Sequence, residues 1–217
     1  MKGKLTNQLK TWSGDFGKKY TDRNIYDPKA LDIFYKKTWG IPRSKMNKAC
    51  LSAVQGNIKR TLEVGSNVGN QLACLQSMGF ENLYGIEIQD YAVEKSKELT
   101  SGINIIKGSA FDIPFKDGYF DMVFTSGVLI HIAPGDVGAV LDEIYRCSKR
   151  YIWGFEYYAD KYTEVEYRGN HKLLWKTDFC SLFLDRFSDL KLKNEKKYGY
   201  LETDNIDSMF LLEKKKG

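Results

Sequence analysis

Between residues 60 and 158 short apolar runs alternate with longer amphipathic ones, and the links between them are brief. "RTLEVG" reads as a strand and "NQLACLQSMG" as a helix that stops at Gly79. "NLYGIEI" is a strand, "YAVEKSKELT" a helix and "INIIKG" a short strand. After the loop "SAFDIPFKDGY" come a strand, "FDMVFTSG", a helix, "PGDVGAVLDEIYRCS", and a strand, "RYIWGFEYY". Strands that alternate with helices must run parallel, because each helix carries the chain back across the sheet. The expected fold class is therefore α/β, with a parallel sheet covered by helices on both faces.

The pattern breaks at both ends. Residues 1–57 read as an N-terminal helical cap of short helices and loops. Its best helical piece is "DPKALDIFYKKTWG", with Asp27 as N-cap and Pro28 at the first helical position, and a further helix is expected over 43–57. Residues 58–217 form the main domain, with an aromatic and polar insertion at about 159–178 that has no clear periodicity. "TDFCSLFLDRF" is helical, and "DLKLKNEKKY" and "SMFLLEKK" read as strands of a hairpin-like pair that closes the sheet.

The 33 basic and 28 acidic residues leave a net charge of +5, much of it from the terminal "EKKK" run. Interspersed charge of this kind suits a solvated surface, and no nucleic-acid footprint is expected. Cys50, Cys74, Cys147 and Cys180 are far apart and form no CxxC, so neither a metal site nor a disulfide framework is expected. No apolar run reaches membrane-spanning length and "MKGKLTNQLK" lacks a signal-peptide core, so the expected location is the cytoplasm, away from membranes.

The turn after the first strand, Gly65-Ser66-Asn67-Val68-Gly69, is cut back to small residues. Gly65 can adopt backbone angles closed to other residues, and Gly69 lets the next helix start tight against the sheet. The spacing is not that of the dinucleotide loop G-x-G-x-x-G: Asn67 replaces the second glycine and the last comes one residue early. Glu87 lies 22 residues beyond Gly65, at the end of the second strand, where an acid can accept hydrogen bonds from both hydroxyls of a ribose. In "GSAFDIPF", Ser109 or the Ala110 backbone can meet the edge of an adenine, with Phe111 near its face. Together these predict an adenosyl ligand. Ser126, at the end of "FDMVFTSG", is a further expected contact of that ligand, and the strand runs on into "VLIHI", where a reacting group could meet it.

In order and spacing, "LEVGSNVGN", "GIEI", "GSAFDIPF" and "FDMVFTSGVLIHI" resemble the motifs of class I S-adenosylmethionine-dependent methyltransferases, over about residues 58–158. The resemblance implies a Rossmann-like, seven-stranded, mostly parallel sheet whose last pair is an antiparallel hairpin. It implies S-adenosyl-L-methionine as cofactor, with Glu63 and the Gly65–Asn67 loop near its methionine end, Glu87 and Ile88 at the ribose, and Ser109–Ala110 at the adenine. Outside the core, "WSGDFGKKYTDRN", "EVGSNVGNQL" and "YRGNHKLLWKTDF" are similar to methylases associated with pseudaminic acid biosynthesis. That likeness implies a sugar or nonulosonic acid acceptor.

If the acceptor is an amine or hydroxyl, a base helps remove its proton. His131, after the fourth strand, is the leading candidate, with His171 a second. Glu156, at the end of strand five, is a candidate contact for an acceptor amine. Tyr167 and Arg168 are expected to overhang the cleft, with Arg168 suited to a carboxylate or phosphate of an anionic sugar. Trp12, Phe16, Tyr20 and Arg23 are candidate lid residues, with Tyr20 and Arg23 also expected at the substrate. The stretch Thr125-Ser126-Gly127-Val128 replaces the Asn/Asp-Pro-Pro-aromatic signature of base and amide N-methylases, and no cysteine follows strand four as cytosine C5 chemistry needs. A small-molecule acceptor is therefore expected. Action on RNA or protein, or cofactor binding without catalysis, are the alternatives, and the oligomeric state is open.

Overall fold

A computed structural model describes residues 6–215, so the first five residues and the end of the terminal lysine run lie outside the described part. The main sheet has seven strands in the spatial order β3-β2-β1-β4-β5-β9-β8. These are β1 (Thr61–Val64), β2 (Leu83–Glu87), β3 (Ile103–Lys107), β4 (Phe120–Ser126), β5 (Ser148–Tyr157), β8 (Leu190–Gly199) and β9 (Ile206–Lys214). The first five run parallel, while β9 is antiparallel to both β5 and β8. The expected α/β sheet with a C-terminal hairpin is what forms.

Alternation along the central strands splits the core in two. Leu62, Val64, Val123 and Ile152 face one side, where the buried Val137, Val140, Leu141 and Ile144 of α7 (Val137–Cys147) cover them. That spacing is one face of a helix. Met122, Phe124, Tyr151 and Trp153 face the other side, against Leu72 and Leu75 of α5 (Asn70–Ser77). The same layer holds Leu31 and Tyr35 of α3 (Pro28–Trp39) and Met46, Cys50 and Leu51 of α4 (Arg43–Leu51). Residues 28–51 thus belong to a helical layer of the main body. At the sheet's turn from parallel to antiparallel, the Phe210 ring lies on Gly154, where a Cβ would stand 2.2 Å from its Cζ.

Asp27 caps α3 by accepting from the Ala30 N–H at 2.8 Å, and Gly40 ends that helix at φ 76°. Two expectations change. The helix expected over 43–57 stops at Leu51, and Gln55–Asn57 form a 3-10 turn centred on Gly56. The insertion is ordered as a hairpin of β6 (Thr163–Tyr167) and β7 (Asn170–Lys176). Arg168 at φ 51° and Gly169 at φ 74° form its two-residue turn, whose positive angles match the twist of the flanking strands. The N-terminal α1 (Asn7–Ser13) and α2 (Asp15–Arg23) lie beyond the carboxyl ends of the parallel strands, and the remaining helices are α6 (Asp90–Leu99) and α8 (Phe179–Arg186). No helix among the described residues is long and apolar enough to cross a membrane.

Candidate active site

From β1 the chain builds β2 and β3 on one side, then returns to add β4 on the other. The helices after β1 and β4 diverge at that reversal and leave a crevice at the carboxyl ends of the strands. Here lies a cleft of about 410 Å³.

Its floor is the turn after β1. Gly65 sits at φ 72°, and a Cβ there would be 2.7 Å from Val128 Cγ2, so the β4 loop approaches bare backbone. Gly69, at φ 89°, opens α5, and a Cβ on it would be 2.8 Å from Ile105 Cδ1. Asn67, at φ 48°, donates its N–H to Glu87 Oε2 at 2.9 Å, and Gln89 donates its own to Oε1 at 2.8 Å. Glu87 therefore clamps the turn with one lone pair of each oxygen and keeps others for a ligand. Burial raises its pKa and these backbone donors oppose the rise.

Glu63 is 2% exposed, and burial holds its carboxyl well above the usual range, with the Arg43 charge opposing. Glu63 Oε2 and Gln71 Oε1 are buried without a partner, as are Ser66 Oγ and Trp12 Nε1, and all four residues line the cleft. Two unpaired acceptors beside a glycine turn fit an ammonium group, which supplies the donors they lack. The residues present therefore suit the aminoacyl end and ribose of S-adenosylmethionine.

Ile88, Gly108, Ala110 and Ser126 also line the cleft. Ser109 and Phe111 do not: the Ser109 hydroxyl accepts from the Phe111 N–H at 3.2 Å, and Phe111 packs on the α7 side of the core. This loop bends back on itself through the Ser109–Asp112 bridge, which leaves Ala110 as its inward face.

His131 ends the 3-10 turn Leu129–His131 after β4 and lines the cleft. Its Nδ1 is 2.8 Å from the Leu173 carbonyl oxygen on β7. Burial lowers its pKa to about 4, opposed by that bond. The ring lies 4.4 Å from Trp12 and 5.6 Å from Tyr167, and Trp12 meets Tyr20 at 5.2 Å, so α1, α2 and β6 roof the site with aromatic rings. Glu156 does not reach the cleft. It is 1% exposed and accepts from the Val128 N–H at 3.0 and 3.2 Å, holding the loop after β4 from below. Burial pushes its carboxyl up to about 7.

Three other candidates stand outside. The His171 side chain is 75% exposed, 3.8 Å from Glu164, in the exposed first half of β7. Arg168 is exposed at the hairpin turn and Arg23 is exposed at the end of α2. Among the described residues the lining holds Glu63, Glu87 and Asp207 but no lysine or arginine.

Sequence reasoning missed Gln89, whose Nε2 donates to the Trp12 and Gly14 carbonyls at 3.2 and 2.9 Å. It missed Thr21, which donates to Asn67 Oδ1 at 3.0 Å, and Asn70, which donates to the Asn24 carbonyl at 2.7 Å. These bonds tie α1 and α2 to the ligand-facing turn. It also missed the far end of the cleft, formed by Tyr35, Trp39, Tyr157, Tyr200 and Asp207. Away from the cleft, Asp178, Cys180 and Glu195 bring ligand atoms within 4.8 Å of one another, but Asp178 caps α8 and Glu195 accepts from Ser208.

Residues 62–151 match the family model described as a methyltransferase domain. A sterol 24-C-methyltransferase of Pneumocystis carinii is 31% identical over 94 residues, which are 41% of this chain and 24% of that relative, so the chain spans about a quarter of its length. Among solved structures, a 1,6-didemethyltoxoflavin-N1-methyltransferase of Burkholderia thailandensis, with 1,6-didemethyltoxoflavin and S-adenosylhomocysteine bound, superposes with a TM-score of 0.71. It is 13% identical and covers 100% of this chain and 94% of its own. A magnesium protoporphyrin IX methyltransferase of Synechocystis with S-adenosylmethionine bound gives 0.67 at 11% identity, over 99% and 100% of the two chains. The chain has the class I methyltransferase fold, and residues 62–151 resemble a methyltransferase domain.

Proposed function

We propose that this protein is an S-adenosylmethionine-dependent methyltransferase acting on a small polar acceptor. The observation that carries the reading is the Gly65–Gly69 turn clamped to Glu87, beside the unpartnered Glu63 Oε2 and Gln71 Oε1. When bound, the cofactor supplies an activated methyl on a sulfonium for in-line displacement. The chain itself contributes alignment and exclusion of water. Glu63 and Gln71 take the ammonium, Glu87 the ribose hydroxyls, and Ile88, Gly108 and Ala110 the flank of the adenine. Because a carbonyl only accepts, the Leu173 contact fixes the His131 proton on Nδ1 and leaves Nε2 as a base. As the methyl bonds to an acceptor oxygen or nitrogen, the proton lost there passes to Nε2. Helices α1 and α2, held by Gln89, Thr21 and Asn70, act as a lid.

The flanking motifs support a sugar acceptor, an intermediate of surface glycan biosynthesis of the pseudaminic acid type. Arg168, the residue suited to an anionic group of that sugar, stands with Arg23 outside the cleft lining. The test is calorimetry with S-adenosylmethionine, S-adenosylhomocysteine and NAD, followed by mass spectrometry of a metabolite pool incubated with deuteromethyl cofactor. Binding of the first two and a mass-shifted metabolite are expected. Preference for NAD overturns the reading, and binding without transfer makes the chain a binding protein.

A further inference from the structure

The cleft continues past the cofactor-facing turn. Parallel pairing sets Ser126 of β4 beside Phe155 of β5, and antiparallel pairing sets Tyr157 of β5 beside Asp207 at the start of β9. Since β9 runs backwards, its first residues share an edge with the carboxyl ends of β1 and β4. Asp207 is thus on the ligand-bearing edge although it belongs to the C-terminal hairpin. Its side chain lines the cleft, yet the residue is only 3% exposed.

Aromatic rings surround it. Trp39 donates its indole N–H to Asp207 Oδ2 at 2.9 Å and stacks on Tyr35 at 4.4 Å. Tyr200 lies 4.7 Å from Trp39 and 5.6 Å from Tyr157, and its hydroxyl bonds to Asp207. Two cations act on Asp207, Arg43 and Lys176, and both hydrogen-bond to other, neutral side chains, with Arg43 Nη2 buried and unpartnered. Lys176 donates to Asn205 Oδ1 and sits over the Tyr157 ring, while Arg43 is bound to Asn47 Oδ1 and the Tyr35 hydroxyl. Neither lines the cleft.

We propose that Asp207 anchors an acceptor subsite, and that this subsite takes an acceptor presenting an amine or hydroxyl donor rather than a carboxylate or phosphate. Asp207 receives the Trp39 N–H and the Tyr200 hydroxyl, which use two of its carboxylate lone pairs and leave others for a ligand N–H or O–H. The ring faces attract an ammonium or the C–H face of a sugar by the same electrostatics. An anion would set like charge against Asp207 with low dielectric around it. Burial pushes the Asp207 carboxyl up to about 7, against the Tyr200 and Trp39 hydrogen bonds and the Arg43 and Lys176 charges.

The inference rests on the methyltransferase reading, and the test separates the two. The protein saturated with S-adenosylhomocysteine is titrated calorimetrically with two charge-matched series: tyramine, tyrosol and hydroxyphenylacetate, then glucosamine, glucose and glucuronate. The amine or neutral member of at least one series is expected to bind, and more tightly than its carboxylate. Asp207→Asn, which keeps the shape, should cut that preference by about tenfold or more, the loss of one charge-assisted hydrogen bond. Its S-adenosylhomocysteine affinity should be unchanged, which also reports folding. Should the variant not fold, the wild-type series decides. Tightest binding by a carboxylate, no binding by any member at millimolar concentration, or a preference unmoved in a folded Asp207→Asn overturns the subsite. Failure of S-adenosylhomocysteine itself to bind overturns the methyltransferase reading instead.

Discussion

His131 and Leu173 are 42 residues apart in sequence, and Nδ1 of the first lies 2.8 Å from the carbonyl oxygen of the second. One bond joins the loop after β4 to the inserted hairpin and decides which ring nitrogen is free. With burial lowering its pKa to about 4, the ring is neutral at physiological pH. If Nε2 is the base, the wild-type pH–rate profile falls through about pH 4 and has no limb near 6.5. His131→Asn, which can still donate to Leu173, should lower the rate roughly 10²–10⁴-fold while S-adenosylhomocysteine affinity holds. Equal rates would return the ring to a packing role.

The same shift affects stability. A folded pKa of about 4 against 6.5 unfolded means that the unfolded chain binds the extra proton. The stabilisation is complete above pH 6.5 and is lost as pH falls through 4, by about 3 kcal/mol at 1.36 kcal/mol per unit. Glu156 runs the other way. Its folded value of about 7, above 4.5, gives stability that is complete below pH 4.5 and lost as pH rises through 7. Denaturant titrations across pH 4–8 should therefore show Glu156→Gln with a smaller loss towards pH 8 than wild type, and His131→Asn with a smaller loss towards pH 4. Parallel curves for wild type and either variant would refute that assignment.

Glu87 is expected to have two effects. Glu87→Ala removes a ligand acceptor and releases the Asn67 and Gln89 N–H groups. Cofactor binding should weaken by roughly 1.5–3 kcal/mol per charged hydrogen bond lost. Glu87→Gln should not rescue it, because an amide NH₂ would face one of those two backbone donors. Calorimetry with S-adenosylhomocysteine decides, and full affinity in Glu87→Gln removes the carboxylate from the ribose site.

Gly65→Ala should destabilise the fold through both backbone and contact. The αL conformation costs a non-glycine residue about 1–2 kcal/mol, and the added Cβ meets Val128 at 2.7 Å. Adding Val128→Ala should recover only the contact part in chemical denaturation. Complete recovery would mean that the φ angle of 72° imposes no strain.

Gln89→Ala should free α1 and α2 from the end of β2, since it removes the bonds to the Trp12 and Gly14 carbonyls. Hydrogen exchange over residues 7–23 is expected to rise, with exchange in β1 and β4 unchanged. Unaltered exchange would show that the aromatic contacts of Trp12 hold the lid without Gln89.

The strand–helix alternation, the glycine turn and the acid at the end of the second strand were legible in the sequence. Each depends on residues close together in the chain: period, cap and turn chemistry act over a few residues. The same local rules fixed the cap at Asp27 and the stop at Gly40. The hairpin over 163–176 was readable in principle from Arg168-Gly169-Asn170, but its strands carry charge on one side and periodicity alone did not reveal them. What no local rule supplied was the facing of side chains contributed by distant segments. Glu156 and His131 both flank the crevice in sequence terms, yet one folds under the β4 loop and the other into the cleft. Asp207 joined the site only because β9 is antiparallel and returns its first residue to the carboxyl edge of the parallel strands. Strand order and direction, set by burial of both sheet faces at once, decided which of the chain's acids, aromatics and arginines share a cavity.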